Sequence, residues 1–288
     1  MKTKKIIRKA EPYLWLLPAM ILFTTFTFYP FVETIYKSFF IIDTMGNVKE
    51  FVGLENYQRI LSDEAFRIAV KNTLVFVILT VPASKIIGFI LAMLANKRRR
   101  FSIFYETAFT LPMAVASSVI AMIFQLLYVP SLGLLNTMMG TRIQWLKDPR
   151  IALLSIVVVQ IWLSSGYAFI FLLAAVRNVS EDIIESVELE GATLIQKIFK
   201  IYIPLTSPTI FYLVCSDIAF MMMMMGLVNI MTKGGPNNAT MTIIYYVYRQ
   251  FAGSGNYTMA NPAAVIAFAM TFVVTMTSFI FQKKGGQD

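Results

Sequence analysis

Six stretches of this chain, residues 13–31, 69–95, 105–128, 151–176, 208–231 and 260–281, stay apolar over close to the roughly 20 residues that an α-helix needs to cross a bilayer. Lipid offers no hydrogen bonds to the backbone, and a helix satisfies its own within one segment. Composition sets the same bound, since 57% of the residues are hydrophobic and 14% charged. A soluble domain carries about 45–50% and about 25%. The expected fold class is an all-α membrane protein with six transmembrane helices. Pro18, Pro30, Pro82 and Pro112 fall inside the runs and predict kinks that neighbouring helices accommodate.

Orientation follows from the basic residues that flank the runs. Lys2, Lys4, Lys5, Arg8 and Lys9 precede the first, Lys97, Arg98, Arg99 and Arg100 follow the second, and Lys283 and Lys284 follow the sixth. Alternation puts all three groups on one side, which the excess of Lys and Arg marks as cytoplasmic, with both termini inside. The segment 37–67 balances Lys37, Lys49, Arg59 and Arg67 against Asp43, Glu50, Glu55, Asp63 and Glu64, as an outer loop does. The net charge of +9 thus reads as topology and contact with membrane lipid, and no nucleic-acid partner is expected. The basic N-terminal stretch imitates a secretory signal, yet its apolar run is long and no small-x-small cleavage site closes it, so it is read as an uncleaved first span. Between residues 233 and 259 an outer-side helix or re-entrant element is expected, because the aromatic-rich segment 242–251 is too short to span.

Several chemistries are excluded. Cys215 is the single cysteine and there is no histidine, which removes a disulfide framework, a cysteine metal site and histidine acid–base catalysis. No Gly-Lys-Ser or Gly-Lys-Thr occurs, so the loop that would cradle nucleotide phosphates is missing. No catalytic, cofactor-binding or metal-binding residue is assigned, and the chain is not expected to be an enzyme.

Between the fourth and fifth runs lies a polar insert. Ser180 can cap a helix with Glu181 and Asp182 in its first turn, and Gly191 can end it in a left-handed conformation. Thr193 and Gln196 then have the spacing of a capping box, Leu194, Ile195, Ile198, Phe199, Ile201 and Tyr202 form an apolar stripe, and Pro204 is expected to stop the run. The insert is acidic although it falls on the basic side, which suggests a basic partner surface. Glu185, Gly191, Ala192, Phe199 and Pro204 match the EAA loop of binding-protein-dependent ABC importer permeases, and this insert resembles it. Ser186, Val187 and Glu190 stand where the family pattern has Ala, Ala and Asp.

The likeness extends along the chain. Tyr29-Pro30, Ser38-Phe39, Phe51 to Tyr57, Asn72-Thr73, Leu111-Pro112, Gly133 to Asn136, Trp145, Trp162, Thr232 to Pro236 and Thr240 resemble, in order, the carbohydrate-uptake permeases of that family, most of all the maltose- and glycerol-phosphate-type first permease subunit. The resemblance implies a transmembrane permease domain over residues 13–282 with a coupling loop at about 177–204, between a cytoplasmic segment at 1–12 and a cytoplasmic tail at 283–288. It further implies a second homologous permease subunit, a cytoplasmic ABC ATPase dimer that uses ATP and Mg, and an extracytoplasmic solute-binding protein. No cofactor is expected on this chain itself. Many relatives carry a Phe-Asp pair where this chain has Met221 to Met225, so no substrate contact is carried over there. The run is expected to pack against its neighbours, with cavity lining as the other reading.

Polar groups inside the runs are candidates for a substrate path, because each is costly in lipid without a partner. Lys85 and Asp217 either pair with one another, or Lys85 meets an anionic or hydroxyl-rich substrate, or Lys85 snorkels. Gln125, Gln160, Trp162, Tyr167 and Asn229 can serve a sugar, whose hydroxyls need donors and acceptors and whose ring faces are apolar. Each can equally cross-link helices. The alternative function is a stand-alone secondary transporter or channel for a small solute, and a third is a scaffold or sensory subunit that moves nothing.

Overall fold

A computed structural model describes the backbone of residues 2–96 and 102–285 and the side chains of 13–96 and 102–280. The side chains of Lys2, Lys4, Lys5, Arg8, Lys9, Lys97 to Arg100, Lys283 and Lys284, on which the orientation rests, lie outside the described residues. Along the chain run α1 (Lys2–Phe23), a π-helical turn (Thr24–Phe28), α2 (Tyr29–Lys37), strands β1 (Phe40–Ile42) and β2 (Val48–Phe51), then α3 (Glu55–Ser62) and α4 (Glu64–Ala95). Next come α5 (Ser102–Ala114), α6 (Ser117–Leu127), α7 (Leu134–Met139), α8 (Ala152–Arg177), α9 (Glu181–Leu189), α10 (Leu194–Lys197), a second π turn (Ile198–Tyr202) and α11 (Ile203–Met222). The chain closes with α12 (Gly226–Met231), α13 (Ile243–Tyr248), a third π turn (Arg249–Gly253) and α14 (Tyr257–Gly285). Among the described residues five helical segments are long and apolar enough to cross a membrane, or six if the bent pair α5 and α6 counts as one.

The described residues up to Asp63 form one compact unit with Val247–Ile266. Its first span runs over Tyr13–Lys37, past the expected end at residue 31. The π turn precedes Pro30, which sits in the first turn of α2, where a missing N–H costs nothing. A small antiparallel hairpin follows, pairing Phe40 with Phe51 and Ile41 with Glu50. It departs from the all-α expectation. Its turn is organised by Asp43, whose carboxylate accepts the N–H groups of Asn47 at 2.8 Å and Met45 at 3.0 Å. Buried Asn56 donates to the carbonyls of Ser38 and Phe40, at 3.1 and 2.9 Å, and Ser38 Oγ lies 2.6 Å from the Tyr57 hydroxyl. Thr258 of α14 holds Ile42 from both sides, accepting its N–H at 2.9 Å and donating to its carbonyl at 3.0 Å.

The described residues of 64–246 and those from Ala267 onward make the second unit. Helices α4 and α8 are its central pair, with α5 and α11 packed on them. Small residues let these backbones approach: a Cβ at Gly88 would meet Ala168 Cβ at 2.6 Å. Ala92, Ala95, Phe169, Leu172 and Leu213 complete a core that is fully buried or nearly so. Asn72 of α4 donates to the carbonyls of Asn238 and Met241 at 3.1 and 3.0 Å, and Thr73 Oγ1 accepts the N–H of Ile243 at 2.9 Å. Those bonds anchor the return segment that leads into α13, the short helix expected within residues 242–251.

Two expected runs are each broken rather than continuous helices. The run 105–128 is not one helix, because α5 and α6 meet at 97°. Pro112 removes a backbone donor one turn before the break, and Ala116 is extended, with ψ 133°. The run 208–231 is not one helix either. The spanning segment is Leu194–Met222, and α12 is a separate turn packed on α6, where Gln125 Nε2 donates to the carbonyls of Ile230 and Met231 at 2.7 and 3.2 Å. Pro204 does not stop the preceding helix. The π turn Ile198–Tyr202 delivers the chain to α11 with Pro204 in its first turn, so the missing N–H falls where the hydrogen-bond register changes.

Candidate coupling loop and translocation cavity

The polar insert folds as two short helices around one fixed bend. Ser180 takes the expected cap position of α9, but its side chain makes no capping bond, and Glu181 and Asp182 occupy the first turn. At the other end Gly191 has φ +78°, the Ala192 N–H reaches the Val187 carbonyl at 3.2 Å and the Gly191 N–H reaches that of Glu188 at 3.0 Å. These two bonds are a complete Schellman motif. Thr193 and Gln196 close a reciprocal capping box at once. Lys197 Nζ ties back to Glu188 Oε1 at 2.6 Å, across the bend. Glu185, Ser186, Glu190 and Phe199 are exposed, whereas Val187 and Ala192 are half-buried. Leu189, Leu194, Ile195 and Phe199 leave 63–90% of their surface free, a set of apolar side chains beside a row of carboxylates.

Where α8 reaches this insert, Arg177 ties three helix ends together. Its guanidinium bonds both carboxylate oxygens of Glu106 on α5, at 2.6 and 3.3 Å, and donates to the carbonyl of Ala95 at the end of α4, at 2.9 Å.

Further along the same helices lies a cavity of about 670 Å³, bordered by Pro112 and Ser117 at the α5–α6 bend, Gln160, Ser164 and Tyr167 on α8, Ser216 and Asp217 on α11, and Met221 and Met223 to Met225 at the broken end of α11. The methionine run both packs and lines: Met222 is buried, Met221 is buried while lining the cavity, and Met223 is exposed in its wall. Gln160 Nε2 donates to Ser164 Oγ at 3.0 Å, one helical turn on. Lys85 of α4 lies behind this wall, almost wholly buried, with its ammonium bonded to the Asp217 carboxylate.

Of the candidates for a substrate path, Gln160, Tyr167 and Asp217 therefore share one cavity and Lys85 is the ion partner of the last. Gln125 instead closes the end of α12, and Trp162 packs on Phe124, with ring centroids 5.8 Å apart. Asn229 sits on α12 and is not among the lining residues. Sequence reasoning missed Ser117, Ser164 and Ser216. Ser164 stands one turn from Gln160 and Ser216 next to Asp217, so spacing from the flagged residues is the signal that could have found them.

Residues 84–284 match the family model described as the binding-protein-dependent transport system inner membrane component. The chain belongs to this family. The permease is a multi-pass protein of the cytoplasmic membrane and a transport subunit of an ABC importer, and the stand-alone transporter or channel is not favoured. It is 31% identical to the sn-glycerol-3-phosphate transport system permease protein UgpA of Agrobacterium fabrum over 278 residues, covering 95% of this chain and 94% of the relative. It is 28% identical to the probable ABC transporter permease protein YurN of Bacillus subtilis over 289 residues, covering 97% and 98%. Among solved structures it superposes on a chain of a bacterial alginate ABC transporter in complex with an alginate pentasaccharide-bound periplasmic protein, with a TM-score of 0.83, 22% identity and 96% of both chains covered. A chain of the MetNI methionine ABC transporter in inward-facing conformations superposes with a TM-score of 0.58 at 13% identity, over 75% of this chain and 94% of that one. At these identities the two structures share the fold.

Proposed function

We propose that this permease is one half of a sugar or polyol-phosphate pathway, that a second homologous permease completes it, and that the loop at about 177–204 docks on a cytoplasmic ATPase dimer which binds ATP and Mg. A solute-binding protein on the outer side delivers the substrate, and both termini lie in the cytoplasm with the loop. The relatives named for glycerol phosphate and alginate support the substrate class. The observation that carries the docking role is the bend itself, where a Schellman motif, a capping box and an ion pair fix two helices that offer Leu189, Leu194, Ile195 and Phe199 outward. Ordering such a surface ahead of binding lowers the entropy cost of docking.

The mechanism follows from helix continuity. The second helix of the loop, the π turn and α11 form one span over Leu194–Met222, so a push at Leu194 travels along about 35 Å of helix to Asp217 in the cavity wall. Arg177 gives the first half of the loop a similar hold on α4 and α5. Closure of the ATPase pair inside and of the binding protein outside would favour one access state, and hydrolysis would reset it.

Co-purification in mild detergent with mass spectrometry tests the reading. The parent should retain an ATPase and a second permease, and a Gly191→Pro, Glu185→Lys variant should lose the ATPase while keeping the other permease. A parent that purifies alone yet moves solute without ATP would overturn it.

A further inference from the structure

We infer that the π turn Ile198–Tyr202 is a two-state joint between the docking loop and the end of α4, and that Tyr202 and Asn96 are its positioning residues. The inference rests on the reading of the loop at about 177–204 as the ATPase-docking element and names how its motion is passed on. In this turn the Ile203 N–H donates to the carbonyl of Ile198, five residues back, whereas just upstream the Lys197 N–H takes that of Thr193, four back, at 3.0 Å. The turn thus holds one residue more than the α register on either side of it. Passing the Ile203 N–H to the Phe199 carbonyl would restore the α register. The residues of the turn would then move one helical position against α11, about 1.5 Å of rise and about 100° of rotation. Pro204 follows directly and has no N–H, so no backbone bond from that residue holds either register. The two arrangements exchange one backbone hydrogen bond for another, as a bistable element needs.

The side chain of Tyr202 sets which register is occupied. It is buried, and its hydroxyl accepts Nδ2 of Asn96, the residue directly after α4, at 3.2 Å. The adjacent carbonyl of Ala95 already accepts Arg177 at 2.9 Å. Both flanks of the docking loop therefore close on two consecutive residues at the end of α4, Arg177 from the α8 side and Tyr202 from the α11 side. Rotation of the turn carries the Tyr202 hydroxyl off Asn96. The Lys85–Asp217 pair ties α4 to α11 further along, so release at Asn96 frees one end of this helix pair and leaves the other fixed.

The test uses the complex purified with its ATPase in nanodiscs, with spin labels on Ile78→Cys in α4 and Lys200→Cys in the turn, both exposed. Pulsed electron resonance reads the distance between them without nucleotide and with ATP, Mg and vanadate. The parent should give two distances, a different one dominant in each condition. Tyr202→Phe and Asn96→Ala should each change the nucleotide-free ratio of the two about fivefold and in the same direction, the effect of one lost hydrogen bond. The double variant should go no further than either single one, because both remove the same bond. If Tyr202→Phe does not assemble, Asn96→Ala removes that bond from the other side and must give the shift alone. A bond that only supports the fold would lower the melting temperature and leave the ratio unchanged, and that result overturns the inference, as do additive shifts or a single distance indifferent to nucleotide. These outcomes leave the docking reading intact when mass spectrometry of the same sample finds the ATPase bound. A parent complex without an ATPase overturns the docking reading, and the inference falls with it.

Discussion

Asn72, Asn136 and Asn56 each spend their side-chain amide on backbone carbonyls. Asn136 accepts from the Trp145 indole and the Thr141 hydroxyl at 3.0 Å each and from the Ile143 N–H at 3.2 Å, while donating to the carbonyls of Pro130 and Ile143. That accounts for Gly133 to Asn136 and Trp145 as one structural unit. Asn136→Ala should cost about 2 kcal/mol, because it leaves the part-buried donors and carbonyls of this turn without their shared partner. Denaturant titration in detergent micelles would expose an error if the midpoint did not move. Asp43 supplies a pH prediction in the loop outside the spans. Mainly through the Asn47 N–H, its carboxyl is held down from 3.8 to about 2. A depressed folded value means that the turn is stabilised by this group above the ordinary carboxylate range, and that the stabilisation is lost as pH falls through about 2. Amide-exchange protection of Met45 and Asn47 should fall over that acid range in the parent, and the Asp43→Asn variant should lack the titration.

At the scale of the element, the bend at Gly191 and the clasp at Arg177 make separate predictions. No atom lies within 4 Å of a Cβ built at Gly191, so Gly191→Ala meets only the left-handed backbone penalty, about 1 kcal/mol. Affinity for the ATPase in nanodiscs should fall by about fivefold to tenfold, less for Gly191→Asn, whose side chain tolerates that conformation. Equal losses for both variants would argue against the backbone explanation. Arg177→Lys keeps the charge but breaks the forked contact to Glu106 and Ala95. It should lower transport per ATP hydrolysed while the ATPase stays bound, which a measured transport-to-hydrolysis ratio checks. The loop caps were legible because Thr193, Gln196 and Gly191 act within a few residues of themselves. Pro204 was misread for the opposite reason: whether a proline ends a helix depends on the hydrogen-bond register before it, and the π turn changed that register.

For the whole molecule, topology and the long-range ion pair are the quantities to test. Cys215 is the single cysteine and is buried, so the chain has a low thiol background. A cysteine at Leu189 should react with an impermeant maleimide in inside-out vesicles and not in intact cells, placing the loop in the cytoplasm. The reverse pattern would sink the proposed orientation. Lys85→Met and Asp217→Asn should each destabilise the fold by about 3 kcal/mol, and the double variant by clearly less than the sum, since each single change leaves a buried charge without its partner. Additive losses in a double-mutant cycle would rule out that coupling.

The sequence by itself determined the membrane class, the approximate spans, the bend at Gly191 and the family, because run length, local caps and motif order are properties of near neighbours along the chain. It also singled out Lys85 and Asp217, since charge inside an apolar run is costly wherever it lands. Only the tertiary structure decided that these two meet across 132 positions of sequence, that Gln160, Tyr167 and Asp217 share a wall while Gln125 and Trp162 serve packing, and that the third and fifth runs break. Those outcomes depend on which helix faces which. In lipid that choice is made by close packing at residues such as Gly88 and Ala168, and by hydrogen bonds between distant segments, neither of which periodicity along one helix can reveal.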